Sequence, residues 1–258
     1  MFKLKSGKYY QICRVSLLAI PIAVIPLCQT LKAFPLEELK FFKEKPSITM
    51  DIKNPDKIGL PTGNEESYGI SYSVENMPVI PDIRVKYVHL HSSGKKTLDR
   101  DFSYADLNFK SGTELHSKIT GDNIKLTFYY QPLDRFNYDF INLELGANLL
   151  FIDYKLENTF EYKGGYSKET DTLSTMIPSL HLKVSLNPTY YLKLSIKGAL
   201  PIGNKTDREF ECEAEYFLNP QLYLFSSYNY SYTKAHDING FDFKTTSRGV
   251  SFGLGLLW

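Results

Sequence analysis

The sequence predicts an all-β fold: an antiparallel, up-and-down transmembrane β-barrel of about ten strands, with eight or twelve as alternatives. Three observations predict it. Apolar and polar residues alternate with period two in segment after segment, short and longer connections alternate between those segments, and the last segment, SRGVSFGLGLLW, ends on an aromatic residue. Tyr and Phe, with 19 and 17 copies, favour strands over helices. A hydrophobic fraction of 43% and a charged fraction of 23% fit one ordered domain rather than a disordered chain.

Residues 1–33 have the features of a cleavable signal peptide for export. A basic start, MFKLKSGKYYQICR, precedes an apolar run of about 14 residues, VSLLAIPIAVIPLC, and Ala33 is the expected cleavage point. An uncleaved anchor and a lipoprotein attached at Cys28 are weaker alternatives. Residues 1–33 hold five basic residues and no acidic one, so 25 basic and 29 acidic residues remain and the mature charge is −4. This balance argues against a nucleic-acid partner, and Cys212 is left without a disulfide partner.

The mature chain is expected to begin with a periplasmic lead-in, residues 34–45, either a short helix or a flexible segment. The barrel is expected to occupy residues 46–258. Ten segments alternate as strands do, the first of them weakly, and each is bounded by turn residues. The predicted strands are 47–53, 67–76, 82–90, 123–130, 140–151, 179–186, 191–198, 209–217, 221–233 and 247–258.

The connections between these strands predict which end of the barrel faces outward. Short turns rich in Pro and Asn, such as LNPT and LNPQ, alternate with longer polar connections. Short periplasmic turns and long external loops are typical of outer-membrane barrels, so residues 93–120 and 161–175 are expected to be external loops. An even strand number places both termini on the same side.

Rows of opposite charge on three predicted strands indicate a polar network in the lumen. If neighbouring strands pair these rows inside a narrow barrel, the charges meet across the sheet and plug the lumen. The alternative is a solvated face on a soluble protein. The predicted network consists of Lys183, Lys193, Lys197, Glu211, Glu213 and Glu215.

The C-terminal strand carries the pattern of an assembly signal. A polar residue, a glycine two positions later, an apolar residue and a final aromatic resemble the signal read by the barrel-assembly machinery, and the matching positions are Ser251, Gly253, Leu256 and Trp258. Recognition would occur by strand addition to an exposed edge. The aromatic stretch 223–232 is interpreted as part of the interfacial girdle, with a sugar-stacking surface as the alternative.

Two motifs resemble a family of small, uncharacterised bacterial outer-membrane β-barrel proteins. In MPVIPDIRVKYVHL, Pro78 and Pro81 match the Pro-rich hairpin of that family, with Asn76 and Asp82 at positions where the family has Pro and Asn. The second motif is a Tyr-Tyr-x-x-Leu-Asp turn followed by a strand that ends in Leu-x-Leu-Gly, carried by Tyr129, Tyr130, Leu133, Asp134, Leu143, Leu145 and Gly146. The resemblance extends over residues 67–258. It implies the fold and the outer-membrane location, and it implies no catalytic residues.

No candidate enzyme site stands out in the sequence. His89 and His91 share a strand face, which could suggest a metal pair, but an interfacial pair near the outer rim is the preferred interpretation. His181 is assigned to the lumen face beside Lys183, and Cys212 to the lipid face. We therefore expect no catalytic residue, no cofactor and no metal site.

The sequence predicts an outer-membrane barrel with a structural or surface-binding role and a narrow, plugged lumen. The alternatives are a narrow channel for small solutes, a lipid-modifying enzyme at the rim, and a soluble, lipocalin-like barrel with a ligand inside. The expected partners are outer-membrane lipids and lipopolysaccharide, the barrel-assembly machinery and periplasmic chaperones, and the protein is expected to be a monomer.

Overall fold

A computed structural model describes residues 36–53, 56–76, 80–104, 107–133, 140–238 and 241–258. The expected signal peptide, residues 1–33, lies outside the described residues. Nearly all of the described chain is strand, and none of it lies in a helix long and apolar enough to cross a membrane.

Thirteen strands are found in the described residues, and most alternate inward and outward side chains as the sequence pattern predicts. Their bounds are β1 Leu36–Lys53, β2 Lys57–Leu60, β3 Asn64–Glu75, β4 Asp82–Thr97, β5 Phe102–Tyr104, β6 Leu107–Phe109, β7 Glu114–Tyr130, β8 Ile141–Tyr162, β9 Gly165–Thr189, β10 Leu192–Pro201, β11 Thr206–Phe217, β12 Leu222–Ile238 and β13 Phe241–Leu257.

Ten of these strands form a closed antiparallel ring, in agreement with the expected strand number. The order is β1-β3-β4-β7-β8-β9-β10-β11-β12-β13, and β13 pairs with β1 from Glu38↔Leu257 to Lys53↔Asp242. The short strand β2 pairs only with β1, and β5 and β6 form a separate hairpin within the β4–β7 connection. Among the described residues, each of the ten ring strands pairs with two neighbours in the ring, as a barrel in a membrane requires.

The expected lead-in at 34–45 is wrong from Leu36 onward. Residues Leu36–Lys53 form one continuous strand that pairs with both β3 and β13, so the barrel begins at Leu36 rather than at residue 46. Charged Glu38 and Lys40 point into the lumen while Leu39 and Phe41 point outward. This charged inner face, followed by the outward Lys43, made the segment look unlike a strand.

The expected external loops are also largely strand. In the first expected loop, β4 continues to Thr97 and β7 begins at Glu114. In the second, β8 and β9 are joined by a tight turn in which Gly164 has a φ of 112°. At about 3.3 Å per residue, the 22 residues of β8 measure about 73 Å along the strand. A tilt of about 40° converts this length to a rise of about 56 Å, roughly twice the height of the apolar band of a membrane barrel.

The barrel wall is therefore uneven in height. By the same arithmetic, the ten residues of β10 rise only about 25 Å, enough to cross the bilayer and little more. Strands β8 and β9, with 22 and 25 residues, rise highest on the side away from the two termini. Together with the adjoining end of β7 they form a tall wall beyond the membrane, and we call this part the outer extension.

Candidate functional site in the lumen and at the outer rim

The lumen near the termini is filled by ion pairs. Glu215, fully buried on β11, accepts a hydrogen bond from Lys40 of β1 at 2.9 Å and forms an ion pair with Lys193 of β10 at 3.0 Å. Lys40 also contacts Glu213 at 2.9 Å, and its ammonium lies 5.0 Å from the ring of Phe225. Lys40 thus joins β1 to β11 across the barrel interior.

A second cluster surrounds Glu144 on β8. Its carboxylate lies 3.0 Å from Arg84 Nη1, 3.0 Å from His181 Nε2 and 3.1 Å from Lys183 Nζ. Arg84 also stacks over the ring of Tyr129 at 4.7 Å. The buried Glu144 carboxylate is therefore the common partner of three side chains: Arg84 from β4, and His181 and Lys183 from β9.

A third cluster lies further from the termini. Lys197 of β10 pairs with Glu211 and, at 3.4 Å, with Glu209. Lys125 of β7 pairs with the same Glu209 and lies 3.4 Å from Asp207. These pairs connect walls that are distant in the ring, which is feasible only in a narrow barrel.

All six residues of the predicted network point into the lumen, and the structure arranges their pairs as follows. Lys193 lies opposite Glu215 and Lys197 opposite Glu211 in the β10–β11 register. Lys183 of β9, however, lies opposite Lys197 of β10. It forms its ion pair with Glu144, which lies opposite it on β8, the other strand that pairs with β9. His181, which the sequence placed on the same lumen face, joins this cluster.

Sequence reasoning missed several members of the network. They have the inward parity of their strands, which was visible in the alternation, but their partners lie on strands that are remote in sequence. These residues are Lys40, Glu75, Arg84, Lys86, Lys125, Glu144 and Asp207.

Two cavities lie between these clusters. One cavity of about 50 Å³ lies among Lys40, Arg84, Lys183 and Glu211, and a second of about 120 Å³ lies above it, between Lys125 and Ile152. Charged and hydroxyl side chains line both cavities, so they are suited to hold several ordered waters. Ion pairs and these two cavities therefore share the described lumen.

The interior of the outer extension is apolar instead of charged. Side chains from β7, β8 and β9 pack there with almost no exposure, among them Leu115, Ile119, Leu156, Phe160 and Leu173. Each such side chain contributes roughly 1.5–3 kcal/mol when fully buried. The tall wall therefore has its own hydrophobic core beyond the membrane.

The β5–β6 hairpin covers this apolar interior as a roof. Phe109 stacks on Phe160 with 3.9 Å between ring centroids, and the buried Tyr104 hydroxyl donates to Asp171. Burial, together with the adjacent Asp171 carboxylate, raises the pKa of the Tyr104 hydroxyl, so this tyrosine stays protonated. Asn158 also donates to the Tyr104 oxygen at 3.3 Å, which fixes the roof to β8.

The outer surface of the ring is apolar over the membrane-spanning part. Every ring strand presents a large apolar or aromatic side chain that is more than a third exposed. One from each strand in ring order is Phe41, Ile70, Tyr87, Ile124, Leu145, Leu182, Ile196, Phe210, Leu224 and Phe252. A continuous belt of this kind would promote aggregation in water, and it matches the lipid-facing band of a membrane barrel.

The aromatic stretch on β12 is divided between the two faces. Tyr228 is 47% exposed on the outside, and Tyr230 lies outside beneath Arg248 at 5.6 Å. Tyr223 and Phe225 were expected in the girdle, but they are 0% and 6% exposed and pack inside the lumen. Odd-numbered residues of β12 face the lumen, so the side chains of Tyr223 and Phe225 fill space there above the termini.

The histidines predicted near the rim lie on the outer face of β4. His89 Nδ1 is 2.9 Å from Asp122, which also accepts from the Tyr87 hydroxyl at 2.6 Å, and His91 lies 3.4 Å from Thr120. They stand at the level where the apolar belt ends. Cys212 is a free thiol on the outer face of β11.

Three of the predicted assembly-signal residues, Ser251, Gly253 and Leu256, lie on β13, the strand that closes the ring, and Trp258 follows directly after it. Trp258 exchanges two backbone hydrogen bonds of 3.1 Å with Glu37. Gly253 faces inward, where a Cβ would stand 2.2 Å from the Phe41 carbonyl oxygen and 2.6 Å from the ring of Phe225. Glycine at this position is thus required by packing as well as by any recognition pattern.

The architecture is that of known outer-membrane barrels. The outer-membrane protease OmpT from Escherichia coli superposes with a TM-score of 0.50 at 8% identity, over 88% of this chain and 97% of that one. The Ail attachment invasion locus protein of Yersinia pestis gives a TM-score of 0.34 at 11% identity, over 85% and 99%. Neisserial surface protein A gives 0.31 at 14% identity, over 85% and 96%.

The closed ring, its apolar exterior and this likeness in fold define the class: the chain is an outer-membrane β-barrel protein. The exterior belt requires lipid, and a closed antiparallel ring with such a belt is a barrel of the outer-membrane type, so the outer membrane is its location. No protein-family profile and no curated protein matches the sequence. The fold is shared with a protease, so it does not by itself decide whether the chain is an enzyme.

Proposed function

We propose that the protein is a non-conducting, non-catalytic barrel that acts through its outer extension, in a structural or surface-binding role. The observation that carries this proposal is the double closure of the interior. Charged clusters pack the membrane-spanning lumen, and an apolar core under the β5–β6 roof packs the outer extension. A solute crossing the barrel would have to break both.

Conductance across a planar lipid bilayer tests this closure. The wild-type barrel is expected to give no discrete current steps, whereas regular steps would refute the proposal and support the narrow channel. Heat-modifiable migration on a detergent gel shows that each inserted protein is folded.

Two variants, alone and combined, locate the closures. In the first, Asn-Gly replaces residues 99–112, because Leu98 N already donates to Thr113 O at 2.8 Å and the strands are close enough for a two-residue turn. In the second, one ion pair of each charged cluster becomes serine: Lys40 with Glu215, Arg84 with Glu144, and Lys125 with Glu209. Only the combination is expected to conduct, because each single variant leaves one closure in place. Conductance by the first variant alone would show that the charged clusters do not seal the lumen.

Outer-leaflet lipids remain the proposed partners of the exterior. Just above the apolar belt, on four adjacent ring strands, the outer face carries a basic row, with Lys234 directly opposite Lys244 in register. Phosphate groups of lipopolysaccharide would neutralise these charges. The row consists of Lys45, Arg208, Lys234, Lys244 and Arg248, with Asp51 and Asp242 at its border.

A rim enzyme that modifies lipid is the second candidate, and one observation favours it. His89 and Asp122 form a hydrogen-bonded pair at the level of the outer-leaflet headgroups. In the part of the chain that the structure describes, no hydroxyl or thiol nucleophile is hydrogen-bonded to His89, so the pair lacks the group it would activate. Comparison of lipid A from strains carrying the wild type and His89→Ala tests this candidate: a difference in lipid structure would establish it and refute the non-catalytic proposal.

A further inference from the structure

We infer that the outer rim carries a divalent transition-metal site, formed by His116 and Glu114 on β7 and Glu161 on β8. The three side chains lie at the top of the tall wall, on its outer face. Glu114 and Glu161 are directly opposite each other in the β7–β8 register. Like charges in that position destabilise a strand pair unless a cation lies between them.

The distances between the donor atoms fit a shared metal better than they fit hydrogen bonds. His116 Nε2 is 3.6 Å from Glu114 Oε2 and 3.8 Å from Glu161 Oε1, beyond hydrogen-bonding range for both. Two ligands of one tetrahedral zinc, each about 2.0–2.1 Å from the ion, stand about 3.3–3.4 Å apart. All three donor atoms lie within 4.8 Å of one another, so movements of up to about 1.5 Å in flexible glutamate side chains would complete the geometry.

The imidazole nitrogen itself points to a ligand. His116 Nε2 is hidden from solvent and has no hydrogen-bond partner, although the two carboxylates face it. One ligand atom from each of the three residues lies within 4.8 Å of the others, and this is the one such group of three or more found in the described ranges. Imidazole nitrogen with two carboxylate oxygens suits Zn²⁺ and leaves a coordination position for water.

The neighbouring cation that competes for these carboxylates is Lys95. It lies opposite His116 on β4 and shares the outer face. Among the described residues, Lys95 forms no ion pair with Glu114 or Glu161. The ion-pair contacts of these two carboxylates there are with His116. A bound metal would link β7 to β8 at the tip of the outer extension and brace its most exposed end.

Titration of the folded, chelator-stripped protein in detergent with ZnCl₂ tests the site. Calorimetry is expected to show one equivalent bound, and Co²⁺ in place of Zn²⁺ should give the visible absorption of a low-coordinate nitrogen–oxygen site. His116→Ala and Glu161→Gln should each weaken binding roughly tenfold or more, since even changes outside the ligand shell cost that much. All three side chains are partly exposed on the outer face, so heat-modifiable migration should be unchanged in both variants.

Two further variants separate this site from general surface binding. His236→Ala removes an exposed histidine that has one carboxylate partner, Asp242 at 3.2 Å, and should leave the affinity unchanged. Lys95→Met should leave it unchanged or strengthen it, because the competing charge is gone. Absence of saturable binding, or equal binding by His116→Ala and wild type, would overturn the inference.

Discussion

Replacement of Glu144 by Gln should destabilise the barrel more than any other single charge removal in the lumen that the structure suggests. Glu144 is 5% exposed and is the only ion-pair partner of Lys183 and of His181 among the described residues. Arg84 is less dependent on it, because Glu75 lies 3.5 Å away. The change therefore leaves at least one buried cation, Lys183, without a countercharge.

Loss of one partner from a buried ion pair costs about 3–5 kcal/mol, because the remaining charge stays desolvated. We expect Glu144→Gln to reduce the free energy of unfolding by that amount. Guanidinium unfolding of the barrel in phospholipid vesicles, followed by fluorescence and gel mobility, measures it. With a guanidinium m-value on the order of 4 kcal/mol/M, the midpoint should fall by about 1 M.

A surface carboxylate with the same chemistry provides the matched control. Glu157, on the exposed outer face, contacts Lys155 at 2.6 Å and Lys168 at 3.4 Å, and the hydrogen bond from Lys155 lowers the pKa of its carboxyl. Glu157→Gln should leave the unfolding midpoint unchanged, because water solvates the two lysines once the carboxylate is lost.

The double variant Glu144→Gln/Lys183→Gln should recover about 1 kcal/mol or more of the lost stability, since the uncompensated charge is removed with its partner. The prediction is refuted if Glu144→Gln lowers the free energy of unfolding by less than about 1 kcal/mol, or if the double variant is no more stable than the single one. Either result would mean that these charges are solvated rather than buried against one another. The lumen would then be hydrated, and the proposed closure would fail with it.

Three other perturbations have defined outcomes. Gly146→Ala should prevent folding, because a Cβ there would stand 1.9 Å from a backbone oxygen on the neighbouring strand. Gly198→Ala is the control and should fold, since its Cβ would stand 3.7 Å from its nearest contact. Heat-modifiable migration on a gel distinguishes folded from unfolded protein, and a folded Gly146→Ala variant would contradict the packing. Tyr104→Phe removes the hydrogen bond to Asp171 and should make the roof hairpin more sensitive to added protease on intact cells, with unchanged cleavage counting against its anchoring role. Trp258→Ala should lower the amount of assembled barrel several-fold without lowering synthesis, as pulse-labelling followed by unboiled gels would show; normal assembly would argue against a C-terminal recognition signal.

The sequence predicted the ring well because strand alternation is a local property. The inward parity of Lys193, Lys197 and Glu215 follows from a period of two within each strand, and it needs no knowledge of neighbours. Strand number followed from the same alternation together with the turns. The outward belt was predicted for the same reason.

Prediction failed where charge hid a strand or where strands continued beyond the membrane. In β1 the lumen-facing Glu38 and Lys40 made residues 36–45 resemble a soluble lead-in, although they complete the ring. Beyond the belt, at residues 153–174, polar side chains on the outer face made β8 and β9 look like a loop. Their inner face still carries the apolar alternation that Leu156 and Phe160 continue.

The sequence by itself thus determined the lumen and lipid faces of most ring strands, with β1 and the aromatic residues Tyr223 and Phe225 of β12 as the exceptions. Only the tertiary structure decided which charges meet: Glu144 with Lys183, and Lys40 with Glu215 across the interior. The physical reason is that parity depends on one strand, whereas an ion pair depends on the register of two strands and on the closure of β13 onto β1. That closure brings residues from opposite ends of the chain to within a few ångströms.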